Sequence, residues 1–365
     1  MKSSIITRCS ERELRAELFT PFTISSGSHK SLENAIFSVT SKDGFTGWGE
    51  AAVATHITGE TVPDTRKGLV MAARYLEGKD SADYLKLFCE LEEMMDSRRA
   101  ALAAVQSAML DLVTRRLGIS LWRYFGGAQP RLKTDVTVVI GGAAEARAFT
   151  LKMRRRGFKI FKIKVGIDFD EDIRRLEAVR GSAPGCDIYV DANCAYTVSE
   201  TCKFIKALEK RGIVPAVLEQ PVPKDDFEGL AALSRKLKMP VCADESAYGV
   251  GDVFRLLSAK AVTAVNIKLT KFGFIKAREV WALARAKGVK LMMGEMLESE
   301  LASGVAAQFA GGLGGFDFID LDIPFFIKGS GMRGTGFISS DGVYSLDKVK
   351  AGAGVFPCLK KGRMG

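Results

Sequence analysis

The chain has 365 residues, 47% hydrophobic and 26% charged, with 53 Lys and Arg against 43 Asp and Glu for a net charge of +10. That length suits one large core with a smaller unit beside it, and its basic residues form no block with interleaved aromatics, which argues against a nucleic-acid partner. No apolar run reaches membrane-span length, no export signal opens the chain and the seven cysteines are scattered, so a reduced, cytoplasmic protein with no membrane partner is expected.

The positive charge suits an anionic small substrate. The two histidines, His29 and His56, form no Ser/His or zinc-like constellation. Acid/base chemistry therefore falls to carboxylates and lysines.

In chain order, three strands are predicted over 4–19, 34–40 and 46–53, with Lys42-Asp43-Gly44 as the turn between the last two. A Ser/Gly-rich loop is expected over 22–30. Helices follow over 61–76, 81–95 and 98–117, the last carrying Ala101, Ala104, Ala108 and Leu112 at helical spacing. From Thr134 short apolar runs alternate with amphipathic helices, each pair taking about 25–30 residues. Strands are predicted over 136–140, 159–165, 187–191, 216–219, 241–244, 263–268, 290–293 and 316–320. Eight strands with seven intervening helices predict a closed barrel. An open doubly wound sheet carries a glycine-rich phosphate loop after its first strand, and Gly141-Gly142 is too little for one.

Reactive groups of a β/α barrel sit at the C-terminal strand ends, facing inward. Lys162 and Lys164, two apart in one apolar run, share a strand face. Burying them costs several kcal/mol each unless anions or a functional cavity receive them. Lys164 ends the second strand, Asp191 the third, Glu219 the fourth, Asp244 the fifth, Lys268 the sixth, and Asp320 and Asp322 the eighth. Each of the three middle acids also precedes a helix it could cap. Three at matched strand ends instead favour octahedral Mg²⁺, with Mn²⁺ as a substitute.

Strands two and six of eight stand across a barrel, so Lys164 and Lys268 are expected to flank a bound ligand. A metal holding a substrate carboxylate would stabilise the enediolate formed when the neighbouring carbon loses its proton. Bases on two faces then allow removal on one side and return on the other, a 1,1-proton transfer.

The order of these pieces resembles the enolase superfamily and its muconate-lactonizing subgroup. The resemblance runs through Trp48-Gly49-Glu50-Ala51, Gly126-Gly127, the Lys-x-Lys at 162 and 164, Asp191-Ala192-Asn193, Leu218-Glu219-Gln220-Pro221, Ala243-Asp244-Glu245-Ser246 and Asn266-Ile267-Lys268. It implies a modified TIM barrel, (β/α)₇β, over 126–365 with a C-terminal segment returning to an N-terminal α+β capping domain over 1–125. It also implies Mg²⁺ on Asp191, Glu219 and Asp244, and Lys164 and Lys268 as the two bases. Asp320-Leu321-Asp322 resembles the Asp-x-Asp motif of dipeptide epimerases, whose carboxylates hold the dipeptide's α-ammonium.

Lys162, Thr137 and Glu298 join the expected substrate-binding set, although β-propensity alone also accounts for a Thr at 137 and Glu298 could act only as support. Relatives acting on Ala-Glu carry a basic residue in the early capping loop. Here Thr23-Ile24-Ser25-Ser26 stands in that region, and Ile24 cannot pair with an acidic side chain, so an epimerised residue other than Glu is expected. Other implied readings are a cycloisomerase, an o-succinylbenzoate synthase, an N-acylamino acid racemase, or a ligand-binding homologue without turnover. A small-molecule dipeptide partner is expected, with assembly into homo-oligomers as in such families.

Overall fold

The computed structural model describes residues 3–24, 27–95 and 97–358. Its N-terminal part is an antiparallel sheet of β1 (Ile6–Ile24), β2 (Gly27–Ser41) and β3 (Thr46–Ala51). Against it packs α1 (Val62–Leu76), while α2 (Tyr84–Met94) packs on α3 (Arg99–Leu117), which itself lies against the sheet. The alanine-rich α3 is buried from Ala100 through Thr114, and β3 approaches it closely because residues 47 and 49 are glycine. A Cβ on either would stand 2.0 Å from a backbone oxygen of α3. Glu60, itself buried, accepts from Ala100 N at 2.8 Å and satisfies the hidden start of that helix.

The expected loop over 22–30 is instead the outer end of a long hairpin. Phe22 pairs with His29, Thr23 with Ser28 and Ile24 with Gly27. Contacts remote in sequence explain the difference: Phe22 packs edge-on against Phe326 with ring centroids 5.4 Å apart, and Thr23 O accepts from Ile140 N at 3.1 Å. Ser25 and Ser26 lie outside the described residues, as does the side chain of Ile24.

Eight parallel strands follow in sequential order: β4 (Val136–Val138), β5 (Ile160–Lys164), β6 (Asp187–Asp191), β7 (Val217–Glu219), β8 (Val241–Ala243), β9 (Ala264–Ile267), β10 (Lys290–Met293) and β11 (Phe318–Ile319). Between them run α4 (Ala143–Arg156), α5 (Phe169–Ser182), α6 (Val198–Glu209), α7 (Phe227–Lys236), α8 (Val250–Ser258), α9 (Leu269–Ala286) and α10 (Glu300–Leu313). The fold is the α/β one expected, a (β/α)₇β barrel beside an antiparallel N-terminal sheet.

Side chains help to knit the first strand to the eighth. Asp135 N donates to Ile319 O at 3.2 Å, Leu321 N donates to Thr134 Oγ1 at 2.7 Å, and Thr137 N donates to Asp322 Oδ2. Tyr189, Val217, Cys242, Ala264, Met292 and Phe318 form a separate buried cluster of strand side chains. The segment after β11 then returns to the N-terminal sheet: Phe19 N donates to Phe326 O at 2.7 Å and Lys328 N to Glu17 O at 2.8 Å.

Candidate active site

Parallel register sets the polar residues at one level. Lys164 pairs with Asp191 and Asp191 with Glu219 on successive strands, while Lys162 pairs with Tyr189 one layer below. Asp244 follows β8, and Lys268 stands between β9 and α9. The second and sixth strands are four places apart in an order of eight, which is opposite in a barrel.

Asp191, Glu219 and Asp244 are each 1% exposed, and ammonium groups surround them. Lys162 Nζ lies 3.0 Å from Asp191 Oδ2, 2.7 Å from Glu219 Oε2 and 2.7 Å from Asp320 Oδ2. Lys164 Nζ stands 2.7 Å from Asp191 Oδ2, and Lys268 Nζ stands 2.7 Å from Asp244 Oδ2. Burial opposes charge on Asp191 and Asp244, but Lys162 and Lys164 outweigh it for the first and Lys268 and Lys271 for the second. Both carboxyls are held well below the usual range. Glu219 goes the other way: burial, then the charge of Asp191, pushes it up to about 7. Burial likewise opposes the ammonium of Lys268, yet Asp244 and Glu219 hold its value above that of an ordinary lysine.

These acids fit a divalent cation. Burial and then the charge of Asp191 raise Glu219, three buried carboxylates supply an all-oxygen donor set, and strand register fixes Asp191 and Glu219 side by side.

Lys271 is a participant that sequence reasoning missed. Fully buried, it donates to Asp244 Oδ1 at 2.7 Å, Asp244 O at 2.8 Å and Asn266 O at 3.0 Å. Its position one helical turn after Lys268 was the available signal. Asn266 Nδ2 donates to Glu219 Oε1 at 2.6 Å, which orients that carboxylate.

One cavity gathers Thr137, Lys164, Lys268, Asp320 and Asp322 with Asn193 and Glu295. Its remaining wall is mostly apolar: Phe22, Val53, Ala54 and Ile57 come from the N-terminal part, and Met296, Leu297 and Ile323 from the barrel. Glu298 is buried outside that lining and accepts from Thr270 Oγ1 at 2.8 Å, while Glu295 takes the place at the wall. His29, from the β2 end of the hairpin, also reaches the cavity.

Asn34 ties the two walls together. Its Nδ2 donates to Leu297 O at 2.8 Å and its Oδ1 accepts from Val53 N at 3.1 Å. Glu50 backs this joint, accepting from Asn34 Nδ2 at 2.7 Å and from Ser299 N at 2.9 Å.

Comparison with known proteins agrees with this architecture. Residues 8–126 match the profile of the mandelate racemase/muconate lactonizing enzyme N-terminal domain, and residues 144–357 match that of the enolase C-terminal domain-like family. The chain belongs to the mandelate racemase/muconate lactonizing enzyme family of the enolase superfamily. It is 41% identical over 352 residues to a hydrophobic dipeptide epimerase of Citrifermentans bemidjiense, covering 94% of this chain and 95% of that one. A mandelate racemase/muconate lactonizing protein from Herpetosiphon aurantiacus superposes with a TM-score of 0.93 at 35% identity, covering 97% of this chain and 99% of that one. A dipeptide epimerase from Enterococcus faecalis V583, solved with Mg and the dipeptide L-Leu-L-Tyr, gives a TM-score of 0.91 at 27% identity over 96% of this chain and 99% of that one.

Proposed function

We propose that this protein is a Mg²⁺-dependent epimerase of dipeptides with apolar side chains, converting L-Xaa-L-Xaa to L-Xaa-D-Xaa. The observation that carries this reading is the cavity itself, where two lysines from opposite strands and an Asp-x-Asp pair share one space with an apolar wall. Among the described residues, that lining has no arginine and no lysine beyond Lys164 and Lys268, and His29 is its one other basic side chain, so an acidic substrate side chain would meet no arginine or further lysine. The names of the Citrifermentans and Enterococcus relatives support the same class.

Asp191, Glu219 and Asp244 would hold the cation, which would stabilise negative charge building on the substrate carboxylate. The residues of the chain do the rest. Asp320 and Asp322 receive the α-ammonium, a cation that needs anionic acceptors once its water is removed. In holding the cation, Asp191 and Asp244 would be drawn off Lys164 and Lys268, the lysines they now pair with. The free amine of one of these lysines then takes the α-proton as the C–H electron pair moves onto the carboxylate, and the ammonium of the other gives a proton to the opposite face. Lys162 sits among Asp191, Glu219 and Asp320 and sets their spacing.

The test is incorporation of solvent deuterium at the α-carbon of the C-terminal residue of an apolar dipeptide such as L-Ala-L-Phe. Lys164→Ala and Lys268→Ala are each expected to slow epimerisation by about 10²- to 10⁴-fold, and chelation of Mg²⁺ to abolish it. Wild-type rates in both lysine variants would refute the reading. A cycloisomerase or synthase substrate lacks a free amine, so turnover indifferent to Asp322→Asn would favour that class instead.

A further inference from the structure

Asp135 stands immediately before β4, on the seam where its own amide donates to Ile319 O. It lies two residues before Thr137, so its side chain enters the barrel on the same strand face, and it is 0% exposed. One of its oxygens lies within 4.8 Å of carboxylate oxygens of both Asp320 and Asp322. Oδ1 accepts a long hydrogen bond from Thr134 Oγ1 at 3.4 Å, and Oδ2 is buried and accepts from no donor. Lys162 cannot serve it directly, because its ammonium is engaged by Asp191, Glu219 and Asp320.

Three carboxyls converging beside one engaged lysine cannot all be anions. We propose that Asp135 is a positioning residue of the ammonium site: a protonated carboxylic acid whose O–H donates to the Asp320–Asp322 pair and aims it at the substrate amine. The inference rests on the ammonium reading proposed above. With Asp135 neutral, two negative charges face the incoming ammonium and the shared Lys162, where three would otherwise crowd the same dry volume. Burial first, then the charges of Asp320 and Asp322, pushes the Asp135 carboxyl well above the carboxylate range. The other ionisable groups facing it are Lys162 and Glu219, with the Tyr189 phenol alongside.

The experiment uses the Mg²⁺-loaded enzyme and compares wild type, Asp135→Leu and Asp135→Asn. Losing a donor to a charged acceptor should raise KM for a free dipeptide about tenfold or more in Asp135→Leu and move the acid limb of its pH profile to higher pH. Asp135→Asn, which keeps a donor of the same shape, should restore both. If Asp135 were an anion, either substitution would remove a negative charge and move that limb to lower pH, which overturns the proposal. So would an Asn variant as impaired as the Leu variant, or loss of a second bound divalent ion in Asp135→Asn.

A substrate-free measurement separates this inference from the reading beneath it. The infrared difference between wild type and Asp135→Asn should contain the C=O stretch of a protonated carboxyl, and a carboxylate band in its place overturns the assignment. If the wild type binds free and N-acetylated dipeptides alike, or Asp322→Asn weakens both equally, the ammonium reading fails by itself.

Discussion

Asp322 carries two tasks on one side chain. Its Oδ2 accepts the amide of Thr137 across the barrel seam, and its carboxylate lines the cavity. Burial, then the charge of Asp320, pushes it up to about 7. An ammonium ligand binds the anion, so KM for a free dipeptide should fall as pH rises through about 7 and rise again below it. A KM flat from pH 6 to pH 8 would contradict this. Asp322→Asn should raise KM for free dipeptides about 10- to 100-fold, with a smaller effect on N-acetylated ones. The strand-end set was legible from the chain because alternation in short apolar runs marks which polar residues face inward. Asp135 obeys the same alternation with Thr137, but its partners stand on the far side of the sequence, and nothing local marks an acid whose neighbours are acids. Lys271 was hidden differently, since a lysine in a helix is ordinarily a solvated one.

The helices and strands themselves show where local pattern ends and packing begins. Helix α9 includes Gly273 at φ 64 and ψ −172, which breaks the helical path after the turn that carries Lys271. A Cβ there would stand 2.5 Å from Gln106 Oε1 of α3, an atom that already accepts from Phe274 N at 2.7 Å. Gly273→Ala should therefore cost about 1–3 kcal/mol in stability, read by chemical denaturation, whereas Gly288→Ala at a comparable φ of 66 meets nothing within 4 Å and should cost only the backbone part. The period-2 and period-3.6 patterns in the chain mark the elements. They do not mark this break, because its cause is a glutamine on another helix. The hairpin end at Phe22 and His29 is the same case, a polar Ser/Gly stretch held extended by a phenylalanine 304 positions onward, as the numbering of Phe22 and Phe326 shows.

The two halves of the molecule meet through buried acids. Glu298 is pushed up to about 7, first by burial and then by the charge of Glu50, from an ordinary value of 4.5. Its folded value exceeds its unfolded one, so the stability it lends is fully present below about 4.5 and is lost as pH rises through about 7. The wild-type Tm should fall across that window, and Glu298→Gln should flatten the fall. An equal slope in both proteins would remove Glu298 as the cause. Asn34 joins Val53 to Leu297, so Asn34→Ala should loosen the apolar wall, raising KM for bulky dipeptides more than it lowers kcat.

The backbone bonds from Phe19 to Phe326 and from Lys328 to Glu17 also have a temporal consequence. Glu17 and Phe19 leave the ribosome long before Phe326 and Lys328, so the strand that carries them waits for that later segment before these bonds can form. A nascent chain arrested before Phe326 would hold its lysines and acids in a vessel with one side missing.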